Sequence, residues 1–445
     1  MATMRIAVVG TGHVGLTTAA CLAHLGHEVL GVDDDAEKIS IIARGEVPFH
    51  EPGLAELVRE GLDTGRLRVS SETHEAARYG DVVFISVNTP TRPSGEANLA
   101  QVEQVARTIA RNLDGYTVVV EKSTVPVETG VWIQRTISRM ADPRAEFDVA
   151  SNPEFLREGK AVHDTLEPDR IVVGSSSPRA IERLREVYRP ILDGTKCPFV
   201  VTDLATAELI KHASNAFLAT KISFVNQLAD VCERTGADVE TVASAMGLDP
   251  RIGASFLRAG VGYGGACLPK DVQAFRYKAG ELGVDFEILD AVDAVNRSRI
   301  DGFLEKIRSV IWNFEDKKVA IWGLAFKPDT DDLRNAPAVR VAEELMAAGA
   351  RVSVHDPVAM SAAKSMIPDA SFEHSPLDAA READCVVICT EWQEYATTDL
   401  TRLREVMTNP VVVDGRNIFR PADMQDAGFV YASVGRPTVW GTPAL

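Results

Sequence analysis

The sequence predicts an α/β protein with two doubly wound parallel-sheet domains, joined by a central helical domain that contains one long helix. Three observations predict it. Residues 4–35 read as strand, glycine-rich turn, helix and strand, and residues 317–356 repeat that plan about 315 positions later. Between them, from Asp203 to about Thr235, the apolar positions Leu209, Ala213, Ala216, Phe217, Thr220, Phe224, Leu228 and Val231 keep a helical period. The 445 residues are also too many for one core. The expected division is 1–202, 203–300 and 301–445.

In the first unit, residues 4–9 form an apolar strand, a helix runs to about Leu25, and residues 26–33 return as a second strand. Further strands are expected at 81–87, 117–120, 147–150 and 170–174. The long helix of roughly 33 residues would span about 50 Å, and packing against a second copy would cover it. A helix is expected over 272–278. In the second unit the strands are 317–322, 349–356, 384–389 and 411–414, with a helix through Glu343 and Glu344; the end after Arg436 is expected to be loose.

Composition narrows the function. Net charge is −17, from 47 basic and 64 acidic residues, which excludes the broad basic footprint of a nucleic-acid or anionic-membrane binder. An anion must therefore be held locally, by helix N-termini and a few cations. The six cysteines (Cys21, Cys197, Cys232, Cys267, Cys385, Cys389) form no CxxC, which fits a reducing compartment. No apolar segment precedes the first strand and no run approaches about 18 apolar residues. A cytoplasmic protein with no membrane partner is expected. The histidines show no HxxxH or HExxH spacing, so no metal is expected.

Gly10-Thr11-Gly12-His13-Val14-Gly15 follows a strand and opens a helix, the context in which glycines admit a pyrophosphate. Asp33 ends the next strand 18 residues after Gly15. A carboxylate there binds ribose hydroxyls and repels a 2′-phosphate, so NAD is expected over NADP in a Rossmann-like domain. The second unit has Gly323-Leu324-Ala325-Phe326-Lys327-Pro328 instead. Lys327 and Arg334 near its strand end suit the phosphates of another nucleotide, or are solvated surface charges.

One run carries chemistry: Gly262-Tyr263-Gly264-Gly265-Ala266-Cys267-Leu268-Pro269-Lys270-Asp271. A thiol beside a lysine is a candidate nucleophile, or a small buried residue. Asp271 either activates water or caps the helix after it. Lys211 and Asn215, adjacent turns of one helix face, supply an ammonium and an amide that suit an oxyanion, or are ordinary polar surface. Residues 151–159 put Glu154 and Glu158 after a strand, as ligands or helix caps. Thr89 and Thr124 end two other strands, as contacts or turn residues.

With these motifs the chain resembles the UDP-glucose 6-dehydrogenase family, within the wider nucleotide-sugar 6-dehydrogenases that include the GDP-mannose enzymes. The resemblance runs from Gly10 to about Arg436. It is carried by the Gly10–Gly15 fingerprint, Ser123-Thr124-Val125-Pro126, Asn152-Pro153-Glu154-Phe155-Leu156-Arg157-Glu158-Gly159, Lys211 with Asn215, the Cys267 run, and Lys327 and Arg334 in their motifs. It implies a four-electron oxidation of a sugar C6 alcohol with NAD, through a thiohemiacetal and a thioester on Cys267. In that family pattern Lys211 and Asn215 stabilise oxygen charge, Asp271 handles water, and Glu158 and Thr124 lie near the reacting carbon and nicotinamide. The cofactor set would be Gly10, Gly12, His13, Val14, Gly15, Asp33, Lys38, Thr89, Thr124, Glu158, Lys270 and Arg334. Glu154, Phe155, Leu156, Arg157, Glu158, Lys211, Asn215, Phe256, Leu257, Gly260, Gly264 and Lys327 would line the nucleotide-sugar pocket. Arg251 would reach the substrate of a neighbouring subunit in a homodimer built on the central helix. The UDP-glucose branch is favoured by 262–265 and 431–437, with GDP-mannose or a UDP-N-acetylhexosamine as the alternative sugar. A two-electron hydroxy-acid dehydrogenase, or a silent NAD-binding regulator, would need no Cys267. The chain departs from the family pattern at Asn88 and Glu128, where glycine is usual, and at Ala266, where serine is frequent.

Overall fold

A computed structural model describes residues 3–441. The chain forms two units: residues up to 214 with 273–284, and residues 215–272 with 285 onward.

The first unit is built on an eight-stranded sheet. Its strands are β1 Arg5–Val9, β2 Glu28–Val32, β3 Leu67–Ser70, β4 Val82–Ile85, β5 Tyr116–Glu121, β6 Glu146–Ser151, β7 Ile171–Gly174 and β8 Phe199–Thr202, in the order β3-β2-β1-β4-β5-β6-β7-β8. Neighbours run parallel except β6 and β7. Alternate residues of β1 explain the two-sided burial. Ile6 and Val8 enter a core with Leu16, Ala20 and Leu22, while Ala7 and Val9 enter the opposite one with Ala106 and Ile109. Full burial of each Val or Ile is worth about 1.5–3 kcal/mol, which is why the runs ending at Val9, Ile85 and Glu121 are legible as strands. The strand order reverses between β1 and β4, and a doubly wound sheet offers its ligand crevice at that switch point.

The second unit holds a six-stranded parallel sheet: β9 Lys318–Trp322, β10 Arg351–His355, β11 Ser371–Phe372, β12 Cys385–Ile388, β13 Val411–Asp414 and β14 Val430–Ser433, ordered β11-β10-β9-β12-β13-β14. The α/β architecture with two such sheets is the predicted one. The segment between them is helical, with Leu204–Thr235, Val239–Gly247, Cys267–Glu281 and Glu287–Val310.

Four strands were not expected. β3 and β8 are four-residue edge strands, β11 has two residues, and β14 lies near the chain's end. Val200 and Val201 are exposed in β8, so it lacks the buried run that marks an interior strand. The long helix has its expected length, and its expected apolar stripe is divided between the core and the surface. Phe217, Phe224 and Val231 are exposed, whereas Ala216, Ala219, Val225, Ala229 and Cys232 are buried. The helix expected over 272–278 starts earlier, at Cys267. The end is also tied further than expected: Val439 pairs with Tyr431, and the Gly441 N–H donates to the Phe429 carbonyl. Residues 442–445 lie outside the described residues.

Candidate active site

The cofactor turn fits NAD. A Cβ on Gly15 would lie 1.7 Å from the Gly10 carbonyl oxygen, so only glycine allows the helix His13–His24 to start this close to the turn. Gly12 sits at the N-cap with no side-chain cap, leaving the first-turn N–H groups for an anion. His13 stacks on Phe49 with centroids 3.9 Å apart; Val14 follows it in the first turn. Asp33, just past β2, accepts from the Thr11 N–H at 2.8 Å and from Lys38 Nζ at 2.8 Å. Burial opposes its ionisation, but the Lys38 ammonium and the Thr11 N–H outweigh that and hold the carboxyl below its ordinary range. An acid already ionised here suits ribose hydroxyls and disfavours a 2′-phosphate.

At the ends of β4, β5 and β6 the predicted residues converge. The Thr89 hydroxyl donates to the Thr124 carbonyl at 2.9 Å, joining the two strand-end loops. Lys211 Nζ lies 2.8 Å from Glu154 Oε1, both buried, and Glu154 Oε2 accepts from the Leu156 N–H at 2.8 Å. Lys211 Nζ is also 5.5 Å from the Phe155 ring centroid, and the Arg170 guanidinium sits 3.7 Å from that centroid. Glu158 is buried in the same turn. Arg157 is separate: its guanidinium is exposed and holds Asp164 at 2.6 Å.

Glu128, where the family pattern has glycine, takes the backbone a glycine would take, with φ 84°. A non-glycine residue there costs about 1–2 kcal/mol. Two contacts offset it: the Glu128 N–H donates to Glu208 Oε2 at 2.8 Å, and its carboxylate meets Lys278 Nζ at 2.9 Å. Glu208 also accepts from the Gly130 N–H at 2.6 Å, anchoring the helix Thr129–Met140. Burial pushes the Glu208 carboxyl up to about 7, and the charges of Glu128 and Asp203 add to this. Glu121 nearby is also driven well upward by burial. Because the folded value of Glu208 exceeds its ordinary value of 4.5, its stabilising contribution is complete below about 4.5 and is lost as pH rises through about 7. Glu208→Gln is therefore expected to remove on the order of 3 kcal/mol of pH-dependent stability across that window. Urea unfolding of both proteins at pH 5 and pH 8 measures it, and parallel pH slopes would contradict the assignment.

In the second unit Cys267 is exposed and begins the helix Cys267–Glu281. Helix N-termini favour negative charge, which suits a thiolate. Asp271 is 1% exposed and receives two donors: Asn215 Nδ2 at 2.6 Å and Lys270 Nζ at 2.7 Å. Asp271 thus lies within the helix, rather than capping a later one. The glycine loop before Cys267 is fixed against the segment that carries Arg334. The Gly265 N–H donates to the Arg334 carbonyl at 2.8 Å, and Asn335 Nδ2 donates to the Gly265 carbonyl at 3.1 Å. Gly265 has φ 80°, and a Cβ there would meet the Phe326 ring at 2.8 Å, so both conformation and space require glycine. Gly264 backs onto Asn335, where a Cβ would lie 2.3 Å from the carbonyl oxygen.

Lys327 lies beside the Phe326 ring, and the Arg334 side chain forms a two-point pair with Asp332. The Gly260 N–H donates to Asn226 Oδ1 at 2.8 Å; Leu257 is buried before it, and Phe256 has φ 65°. Arg251 stands apart, its side chain 87% exposed and paired with Asp249. Two basic residues escaped sequence reasoning. Arg416 donates to the Cys389 carbonyl at 2.8 Å, the Gly262 carbonyl at 3.3 Å and the Phe326 carbonyl at 3.1 Å, tying the glycine loop to the ends of β9 and β12. Lys122 is buried at the end of β5, and burial pushes its ammonium down to about 8. Neither has a motif of its own; Lys122 was visible only as a neighbour of Thr124. Among the described residues, no three His, Cys, Asp or Glu side chains are placed to hold a metal, and no helix is long and apolar enough to cross a membrane.

Comparison with known proteins gives three consecutive family matches. Residues 4–192 match the NAD binding domain, 205–298 the central domain and 320–421 the UDP binding domain of the UDP-glucose/GDP-mannose dehydrogenase family. A UDP-glucose 6-dehydrogenase of Rhizobium meliloti is 46% identical over 438 residues, covering 98% of this chain and 100% of that protein. UDP-glucose 6-dehydrogenase TuaD of Bacillus subtilis is 42% identical over 439 residues, covering 98% and 94%. Among solved structures, a UDP-glucose dehydrogenase of Pyrobaculum islandicum superposes with TM-score 0.91 at 37% identity, covering 98% of each chain.

Proposed function

Because this chain belongs to the UDP-glucose/GDP-mannose dehydrogenase family, we propose that it oxidises the C6 alcohol of UDP-glucose to the carboxylate of UDP-glucuronate, with Cys267 as covalent carrier. It is an NAD-dependent dehydrogenase. The observation that carries the mechanism is the exposed thiol at a helix start, one turn before a buried aspartate that takes donors from Asn215 and Lys270.

NAD, when bound, accepts two electrons as hydride from C6, and two molecules of it are consumed per sugar. The residues do the rest. The Cys267 sulfur adds to the C6 aldehyde carbon, and the carbonyl oxygen takes up a proton to give a thiohemiacetal. The thiohemiacetal then gives up the C6 hydride, to a second NAD when bound, and its hydroxyl proton, leaving a thioester. Water adds to the thioester carbon, the carbon–sulfur bond breaks, and the uronate is released as the thiolate is regenerated. Lys211 and Asn215 hold the charge that develops on the C6 oxygen, and Asp271 orients the water and takes its proton. Thr124 and Glu158 stand at the reacting carbon. Asp33, Lys38 and the Gly10–Gly15 turn hold the cofactor, with Thr89, Lys270 and Arg334. Glu154–Glu158, Phe256–Gly260, Gly264 and Lys327 hold the nucleotide sugar.

The assembly we propose is a homodimer through the long helix. Phe217, Phe224 and Val231, seven residues apart, form an exposed apolar stripe that a second copy would cover. Arg251 then serves a neighbouring site. We retain the three-part division at 202 and 300 as the functional one, and a cytoplasmic location.

Supplying UDP-glucose, GDP-mannose and UDP-N-acetylglucosamine with NAD, and counting NADH per sugar consumed, tests the reading. Two NADH per UDP-glucose are expected. One per sugar, or turnover of none of them, would overturn it.

A further inference from the structure

Lys122 has no part in the chemistry above, yet its ammonium is buried deep in the first unit. Its hydrogen-bond acceptors are neutral: Asn152 Oδ1 at 3.1 Å, the Asn152 carbonyl at 3.4 Å and the Tyr188 hydroxyl at 3.5 Å, with the Phe84 ring centroid 5.7 Å away. An ammonium in such a place is costly, and an apolar side chain of that length would fill the space at less cost. Packing alone therefore does not account for it.

The surrounding geometry gives it a task. The last residues of β5 and β6 lie side by side, Glu121 against Ser151, so Lys122 and Asn152 leave the sheet at the same level. Asn152 is held by its own amide, which donates to the Val172 carbonyl at 2.8 Å, and by the Tyr188 hydroxyl at 2.5 Å from its Oδ1. Lys122 grips both the carbonyl and the side chain of Asn152, and two residues later Glu154 meets Lys211. The charges that act on Lys122 are those of Glu154, which favours its protonated form, and Lys211, which opposes it. Two cations thus flank one buried carboxylate.

We propose that Lys122 is a positioning residue: it fixes the 152–154 turn and the Glu154 carboxylate, and through Glu154 sets the place and charge of Lys211. This rests on the reading of Lys211 as the donor to the C6 oxygen. A double-mutant cycle tests it. Lys122→Met, and in parallel Lys122→Gln, which keeps a donor for Asn152 should the methionine variant fold poorly, are made in the unmutated and the Glu154→Gln backgrounds. In the first background kcat is expected to fall at least about tenfold with KM for NAD changed less than about twofold. In the Glu154→Gln background the further loss should be under about threefold, and Lys122→Arg should retain most of the activity. Equal losses in both backgrounds, or a loss in neither, would overturn the proposal. An absence of turnover in the unmutated enzyme would overturn the dehydrogenase reading beneath it.

Discussion

Cys267→Ser is expected to reduce uronate formation by at least about 10³-fold, because a serine hydroxyl is a far weaker nucleophile than a thiolate. The folded state should change by no more than about 0.5 kcal/mol, since the side chain is exposed and the exchange alters no core packing. Binding of NAD and UDP-glucose should be nearly unchanged. The diagnostic result is therefore lost acid output in a protein that still folds and binds. Intact-protein mass spectrometry after rapid quenching should show a sugar-nucleotide adduct on the unmutated enzyme and none on the variant. Unchanged steady-state acid formation by Cys267→Ser would refute the covalent role.

The residues that make this expectation possible were legible to very different degrees. β1, β4 and β5 announce themselves because both faces are buried, giving continuous apolar runs such as Val82–Ile85. The Gly10–Gly15 turn is legible because close approach there leaves glycine alone. The Cys267 helix begins five residues ahead of the expected 272, with Pro269 in its first turn. Proline in a first turn removes an N–H that has no helical partner anyway, so the helix can begin before it. Of the two readings of Asp271, water activation or a helix cap, the cap drops out as a result, because the residue is a buried acceptor for Asn215 and Lys270 within the helix. The long helix is legible from its period, but period alone does not say which apolar positions meet the chain's own core: Ala216 is buried, whereas Phe217 and Phe224 point outward. Lys122, Glu208 and Arg416 were out of reach for a simpler reason. Their partners Tyr188, Gly130 and Gly262 lie 66, 78 and 154 residues away, and only the folded chain brings them together.

The same buried charges set the second large effect. Lys211→Met is expected to fail twice. It removes an oxyanion donor, which costs about 10²–10³ in kcat. It also strips the 2.8 Å partner from Glu154, leaving a buried carboxylate; breaking such a pair costs about 3–5 kcal/mol. The lower end is expected, because Lys122 still offers its positive charge to Glu154. The two failures separate in the double variant Lys211→Met with Glu154→Gln. Glutamine removes the stranded charge and keeps an acceptor for the Leu156 N–H, so stability in urea should recover by at least about half. Activity should not recover, since no neutral pair supplies an ammonium to the C6 oxygen. Return of kcat in the double variant would make Lys211 a counter-ion for Glu154 and nothing more, and would move the oxyanion role to Asn215 alone.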